Sequence, residues 1–294
     1  ALELETTEVK IRLDKNGNVA AVEKLESLVS HKIIEEFMIA ANVAAARRLQ
    51  LSKQPVMYRV HDRPSEEKLK EIKPLLDSLK LKLPDCQALK PEHFNRLIEL
   101  CRQKDRGAGI DDLVLRLQCQ AQYSPQNIGH FGLGLKEYVH FTSPIRRYPD
   151  LAIHRILSDL VTGMPAVKIQ KKYYKFAPSA AQQSTRTELR AMQAERECED
   201  CYKAEFMTNH QGEPFDGQVS SVTPQGLYVE LPNTVEGLIR TESLGEGYEF
   251  DGLIEMKAPG NPKSYRVGDP VKVICVRADV NSGQIDFEPA DNRV

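Results

Sequence analysis

The sequence predicts an α+β chain in two unlike parts, a helix-rich front opened by a β-hairpin and an all-β module behind it. Three observations carry this. Around Asn16-Gly17, apolar and polar residues alternate on both flanks. From Ser30 to about residue 208, apolar residues recur at helical spacing in long runs free of Gly and Pro. Beyond that point the pattern shifts to short alternating runs separated by Pro, Gly and Asn. These are the respective signatures of a hairpin, of amphipathic helices and of short strands.

In the opening stretch Val9, Ile11 and Leu13 alternate with Lys10 and Arg12, and Asn16-Gly17 supplies the hairpin turn before Val19. "SHKIIEEFMIAANVAAARRL" then reads as a helix capped by Ser30. Ile34, Phe37, Met38 and Ala41 share its apolar face, and Arg47-Arg48 suit its C-terminal dipole. "PVMYRVHDRPSEEKLKEI" gives a short strand, a turn and a helix capped by Ser65. Helices are expected over 91–103, 110–119 and 179–207. The module over 209–294 should hold about five strands, which fits an OB-type barrel. The boundary between the two parts is set at 208/209.

Composition narrows the function classes. The 294 residues are 41% hydrophobic and 28% charged, enough for a sizeable core. A net charge of −2 excludes coating nucleic acid by global charge but leaves room for a local basic channel. No apolar run reaches the roughly 20 residues a membrane span needs. Cys198 and Cys201 form a CxxC inside a helical stretch, with no second CxxC and no spaced His pair, so reduced thiols and a cytoplasmic location are expected. The chain opens mid-pattern without Met, so a piece of a longer protein is expected.

"TSPIRRYPDLAIHRIL" is the densest stretch of candidate chemistry. Thr142 or Ser143 can cap a helix whose first turn holds Pro144, placing free N–H groups beside Arg146 and Arg147, a favourable setting for phosphate. At helical spacing Ile145, Tyr148, Ala152 and Ile156 face the core, while Arg147, Asp150 and His154 lie on another face. Solvated, salt-bridged arginines are the competing reading. Gly132-x-Gly134 lacks the third glycine of a dinucleotide site.

"YSPQNIGHFGLGLKEYVHFTSPIRRYPDLAIHR" resembles the signature of the RNase II/RNase R (RNB) family of 3′-to-5′ exoribonucleases. "LELETTEVKIRLDKNG", "KIIEEFMIAANVAAARRL" and "AERECEDCYKAEFM" resemble other stretches of that family, in the same order. "GQVSSVTPQGLYVEL", "VEGLI" and "RVGDPVKVICVRAD" resemble its S1 RNA-binding domain. The resemblance implies the C-terminal part of an RNB catalytic domain followed by an S1 barrel, acting on single-stranded RNA. Its alternative is a non-catalytic RNA-binding relative.

Carried onto this chain, the resemblance implies that Arg146 binds phosphates at the scissile bond and Arg147 the adjacent backbone. Glu195 would meet the RNA 3′ end, and Glu35 or Glu36 a ribose. Glu35 and Asn42, seven apart, can share a channel-facing stripe; His130, His140, Tyr148 and His154 can line the channel or pack behind it. In the barrel, Tyr228 and Arg240 lie where S1 domains place RNA contacts, with Tyr248, Phe250, Lys263 and Tyr265 on or near the following loop. The family's Mg²⁺ is held by an upstream Asp-rich loop whose pattern does not occur in this sequence, so no metal ligand is expected within it. The adjacent Asp111-Asp112 pair reads as first-turn dipole complementation, and Glu3, Glu5 and Glu8 as strand alternation. The upstream segment of the same protein is then an expected partner.

Overall fold

The computed structural model describes residues 1–4, 8–25, 28–103, 109–252, 254–260 and 263–290. The front part opens on the antiparallel hairpin β1 (Glu8–Leu13) and β2 (Val19–Leu25). Asp14 closes its turn by accepting hydrogen bonds from the backbone N–H groups of Asn16 and Asn18 at 2.8 and 2.9 Å. Gly17 takes the positive φ of 88° that this turn requires. Glu3 precedes the strand rather than alternating within it, and Glu5 lies outside the described residues.

Helix α1 (Val29–Leu51) is 23 residues long and only its C-terminal half is buried, through Asn42, Ala45, Ala46 and Leu49. Ser30 does not cap it; Leu28 occupies the cap position and the helix starts one residue later. The expected apolar face is also not a core face, since Phe37 is 69% exposed and Ile34 is exposed beside it. Strand β3 (Tyr58–Val60) pairs with β4 (Gln122–Ser124). Between them run α2 (Glu66–Glu71), α3 (Lys73–Leu79), α4 (Pro91–Gln103) and α5 (Ile110–Leu117). Ser65 caps α2 through its hydroxyl, which accepts from Lys68 N–H at 3.3 Å. Phe94, Leu97 and Ile98 of α4 pack with Ile110 and Val114 of α5 into a satellite core.

Helices α6 (Tyr148–Val161) and α7 (Ala166–Tyr173) lead into the 33-residue α8 (Phe176–Thr208). The module behind it has more strands than the five expected. A closed barrel joins β5 (Pro214–Thr223), β6 (Gly226–Glu230), β7 (Glu236–Arg240), β11 (Pro270–Asp279) and β12 (Gln284–Pro289). The short helix α9 (Thr241–Leu244) and a three-stranded sheet of β8 (Glu249–Phe250), β9 (Glu255–Lys257) and β10 (Ser264–Arg266) interrupt it between β7 and β11. Gly237 is needed for closure, since a Cβ there would lie 2.5 Å from the Phe287 ring.

The packing does not follow the sequence boundary. Val19 and Val22 of the hairpin and Ala204 and Met207 of α8 belong to the same apolar cluster as the barrel's Val219, Ile239 and Phe287. Val19 N–H also donates to Glu205 of α8 at 3.0 Å. A separate cluster joins α1, β3, β4, α6, α7 and the first turns of α8. Because Met207 is fully buried where helix, hairpin and barrel meet, Met207→Ala should destabilise the chain by about 2–5 kcal/mol. Urea titration should show barrel and hairpin shifting together; a barrel transition that moved alone would contradict the shared core.

Candidate nucleic-acid interface

The two adjacent arginines sit on a turn, not inside a helix. The segment from Ser143 to Arg147 closes with the N–H groups of Arg146 and Arg147 donating to Ser143 C=O at 3.3 and 3.0 Å. Helix α6 begins only at Tyr148, with Arg147 at the cap position and Pro149 in the first turn. Thr142 and Ser143 are therefore not its caps. The later start changes the expected faces at the front of the helix only: Ile145 is 102% exposed, Tyr148 half-exposed and Asp150 wholly buried, while Ala152 and Ile156 face the core as expected.

Asp150 explains the difference. Its Oδ1 accepts from Ser143 N–H at 2.8 Å and from Arg147 Nη2 at 2.9 Å, drawing the carboxylate inward. Arg147 is thereby neutralised at close range, whereas Arg146 is exposed and makes no ion pair among the described residues. Asn42 holds the other end of the loop. Its Oδ1 accepts from the N–H groups of Phe141 and Thr142 at 2.9 and 3.2 Å, and its Nδ2 donates to Tyr138 Oη at 2.9 Å. At 3% exposure, Asn42 is not the surface residue that the Glu35 stripe implies. Glu35 and Glu36 themselves are exposed one to two turns earlier on α1.

Behind the loop stands a ladder of rings. His61 meets His130 at 5.1 Å, His130 meets Tyr138 at 5.4 Å, Tyr138 meets His140 at 5.7 Å and His140 meets Tyr123 at 5.6 Å. Burial lowers the pKa of His130 to about 3 and that of His140 to about 2, with nearby cations adding to both shifts. Burial likewise pushes Tyr123 up to about 12. The ladder is therefore uncharged at neutral pH. His154 also serves the loop: its Nε2 and Phe141 C=O share a 2.8 Å hydrogen bond, and the two rings stack at 4.1 Å. Of the expected channel residues, Tyr148 is the one with an open face; its ring edge meets Phe176 at 6.4 Å.

Glu188 is a candidate that the sequence reading did not name. It accepts from Arg59 at 2.6 Å, and Arg59 lies 4.7 Å over the Tyr123 ring. One turn earlier on α8, Thr185 Oγ1 accepts from Tyr123 N–H at 2.9 Å. Glu195 is exposed seven residues further on. Positions seven apart share one helix face, so spacing could not separate them; only the partner Arg59 does.

The barrel brings Tyr228 and Arg240 into one cleft of about 490 Å³, walled by Asp200 and Lys203 of α8. Arg240 donates to Asp286 at 3.3 Å, and burial raises the Asp200 carboxyl pKa. Phe250 packs against the barrel core, and Lys263 lies 5.3 Å over Tyr265. Tyr248 and Tyr265 are buried rather than displayed on the loop.

The residues here do not fit a Mg²⁺ ion. Among the described residues no three His, Cys, Asp or Glu side chains converge on a metal position. Two of the carboxylates on this side are already paired, Asp150 with Arg147 and Glu188 with Arg59. Asp111 pairs with Arg102 at 3.0 Å, and the Asp112 side chain lies outside the description. Cys198 and Cys201 are free thiols.

A helical domain with an arginine turn, joined through one long helix to a closed five-stranded barrel, defines a two-part architecture that comparison with known proteins identifies. The RNB domain model matches residues 1–163, and the S1 RNA binding domain model matches residues 209–288. The chain belongs to the RNase II/RNase R (RNB) family. It is 33% identical to Ribonuclease R 1 of Lactococcus lactis, covering 98% of this chain and 36% of that protein. It is 36% identical to Ribonuclease R of Thermotoga maritima, covering 97% and 41%. The apo form of Mycoplasma genitalium RNase R superposes with a TM-score of 0.87 at 24% identity, covering 98% of this chain and 46% of that one. The chain thus spans about two fifths of the length of these curated relatives. No described helix is long and apolar enough to cross a membrane.

Two outcomes follow from this geometry. Because His130 and His140 are held neutral, the unfolded chain binds more protons than the folded one below the ordinary histidine pKa near 6.5. Stability should be fully present above that pH and fall as pH drops towards 4, by up to about 1.4 kcal/mol per unit for each histidine. Urea midpoints at several pH values measure this, and His140→Gln should flatten the profile. Separately, Asn42→Leu should speed amide hydrogen exchange at Phe141 and Thr142 while leaving barrel amides protected. Unchanged exchange at both would show that Asn42 does not hold the loop.

Proposed function

We propose that this chain is the RNA-holding part of a 3′-to-5′ exoribonuclease that hydrolyses single-stranded RNA to nucleoside 5′-monophosphates. The observation that carries this reading is Arg146, an exposed guanidinium without an ion pair among the described residues, on a turn pinned by Asn42 and Asp150. A planar donor fork held in that way suits a phosphate whose charge grows in the transition state. Arg147, paired with Asp150, holds the turn that presents Arg146 to that phosphate. We assign the RNA 3′ end to Glu188, held by Arg59 at 2.6 Å, in place of the Glu195 that the resemblance implies. Glu35 or Glu36 offers a carboxylate to a ribose hydroxyl. Tyr148 presents an open ring to a base, while His130 and His154 act from behind.

In this reading residues 1–208 are the C-terminal portion of the catalytic domain and residues 209–294 the S1 domain. Tyr228 and Arg240 would guide the strand across the barrel towards the arginine turn, with Phe250 and Lys263 at the edge of that path. The Mg²⁺ carboxylates would come from the segment upstream of this chain in the longer protein. That segment would also cover the exposed Val29, Ile33 and Phe37 on α1. A cytoplasmic location goes with this activity and with the free cysteines.

The test is a gel assay with 5′-labelled single-stranded RNA and Mg²⁺, on the chain alone and joined to its upstream segment. Activity should appear only in the joined form. There, Arg146→Ala should lower the cleavage rate on the order of 10²–10³-fold, with RNA affinity reduced less than about tenfold because other phosphate contacts remain. Wild-type cleavage by the variant would remove Arg146 from the mechanism. No cleavage in the joined form, with RNA still bound, would make the protein a binder.

A further inference from the structure

The functional reading leaves one surface unused. The 28 residues from Leu160 to Thr187 contain no Asp or Glu, although the chain carries 42 acidic residues among 294. Within that stretch lie Lys168, Lys171, Lys172, Lys175 and Arg186. The structure concentrates the lysines on α7 and the bend after it. Ile169 and Tyr173 anchor the helix in the core, with exposures of 0% and 4%, so the opposite face is held rigid. At 100° per residue, Lys168, Lys171 and Lys175 fall within about 60° of one another. Tyr174 and Lys175 keep right-handed helical backbone angles, so the stripe continues into α8.

The charges on this stripe are largely uncompensated. Lys172 donates to Asp159 at 2.6 Å, and Tyr173 Oη donates to the same carboxylate oxygen at 2.7 Å. Lys168, Lys171 and Lys175 are exposed and have no ion pair among the described residues. Beside them Tyr174 is 67% exposed and Val167 is also exposed, an aromatic face next to a row of cations. A merely solvated helix face usually intersperses acids among its lysines. This one presents positive charge with an aromatic ring, the combination that holds single-stranded RNA through its phosphates and base faces.

We propose that the α7 face, formed by Lys168, Lys171, Lys175 and Tyr174, is a second RNA-binding surface that takes the trailing 5′ body of a long RNA. It rests on the proposed function in assuming that this chain binds RNA. Its position makes it distinct from the barrel. Along α8, Phe176 beside α7 and Ala204 in the barrel core are separated by roughly 40 Å, with Glu188 between them. A strand lying across the barrel with its 3′ end at Glu188 cannot also lie on α7; a separate stretch of the same molecule must do so. Two surfaces joined by one flexible strand gain affinity through effective concentration. Phe176 meets the ring of Tyr148, so the face begins next to the arginine turn.

The test uses the 294-residue chain and fluorescence anisotropy with two labelled single-stranded RNAs. One, of about 8 nucleotides, fits a single barrel site, and the other, of about 40, can reach both surfaces. Wild type should bind the longer RNA at least about tenfold more tightly than the shorter. The triple variant Lys168→Ala, Lys171→Ala, Lys175→Ala should lose that advantage and flatten the salt dependence for the longer RNA by about two phosphate equivalents. A charge-matched control, Lys70→Ala, Lys80→Ala, Lys82→Ala, should keep both. A length advantage that survives the α7 substitutions overturns the second surface. Loss of uridine monophosphate binding without loss of the length advantage would also overturn it, reassigning the face to free nucleotide. If wild type binds neither RNA, the functional reading itself fails, which is a different result.

Discussion

Both ends of α8 are buried in different cores, and that constraint fixes the relation between every functional group in the chain. At its start Ala177 and Ala181 pack in one cluster with α6 and β4, and at its end Ala204 and Met207 enter the barrel cluster. The small residues at the start let the helix lie close to its neighbours. Thr185 and Glu188 sit between the two buried ends, on β4 and Arg59. A one-residue slip would rotate each of these side chains by about 100° and break both cores together with the Arg59 pair. The helix register is therefore overdetermined, and the barrel cleft is held at a set distance from the arginine turn.

Electrostatics around that turn follow from which charges are matched. His140 feels Arg59, Arg146 and Arg147, and each opposes its protonation. Arg59 is matched by Glu188 and Arg147 by Asp150. Burial keeps the histidine rungs neutral, so the wall behind the loop adds no charge of its own. The field that reaches outward is then chiefly that of Arg146. Two adjacent arginines, indistinguishable as residue types, become one structural and one available guanidinium.

Local signals in the sequence were legible where the structure is local. Asn16-Gly17 marks the turn, Ser65 caps α2, and the long run without Pro or Gly is most of α8. The reading failed wherever two positions on one helix face look alike and only a distant partner separates them. Glu188 and Glu195 are seven apart, as are Glu35 and Asn42; Arg59 pairs with one of the first two while the other stays exposed, and Tyr138 with the loop amides buries one of the second. The arginine turn failed for a related reason. Helical spacing assumes that the helix has started, but Asp150 folds back onto Ser143 N–H and delays it to Tyr148, turning Ile145 outward. Arg59 and Tyr138 are too distant in sequence to leave a periodic trace, and Asp150, though near, acts on a segment that helical spacing had already assigned to the helix.

The same logic accounts for α1. Its C-terminal half buries Ala45, Ala46 and Leu49, while Val29, Ile33, Ile34 and Phe37 of its N-terminal half stay open. A helix apolar on this much of its circumference is normally enclosed by protein. Asn42, which fixes the arginine turn, lies one turn beyond Met38 on that helix, so whatever covers the open half also bears on the loop's anchor. Covering α1 would bury apolar surface and stiffen the helix that positions Arg146. The energetic gain from enclosing the open face and the placement of Arg146 are thus coupled through a single asparagine.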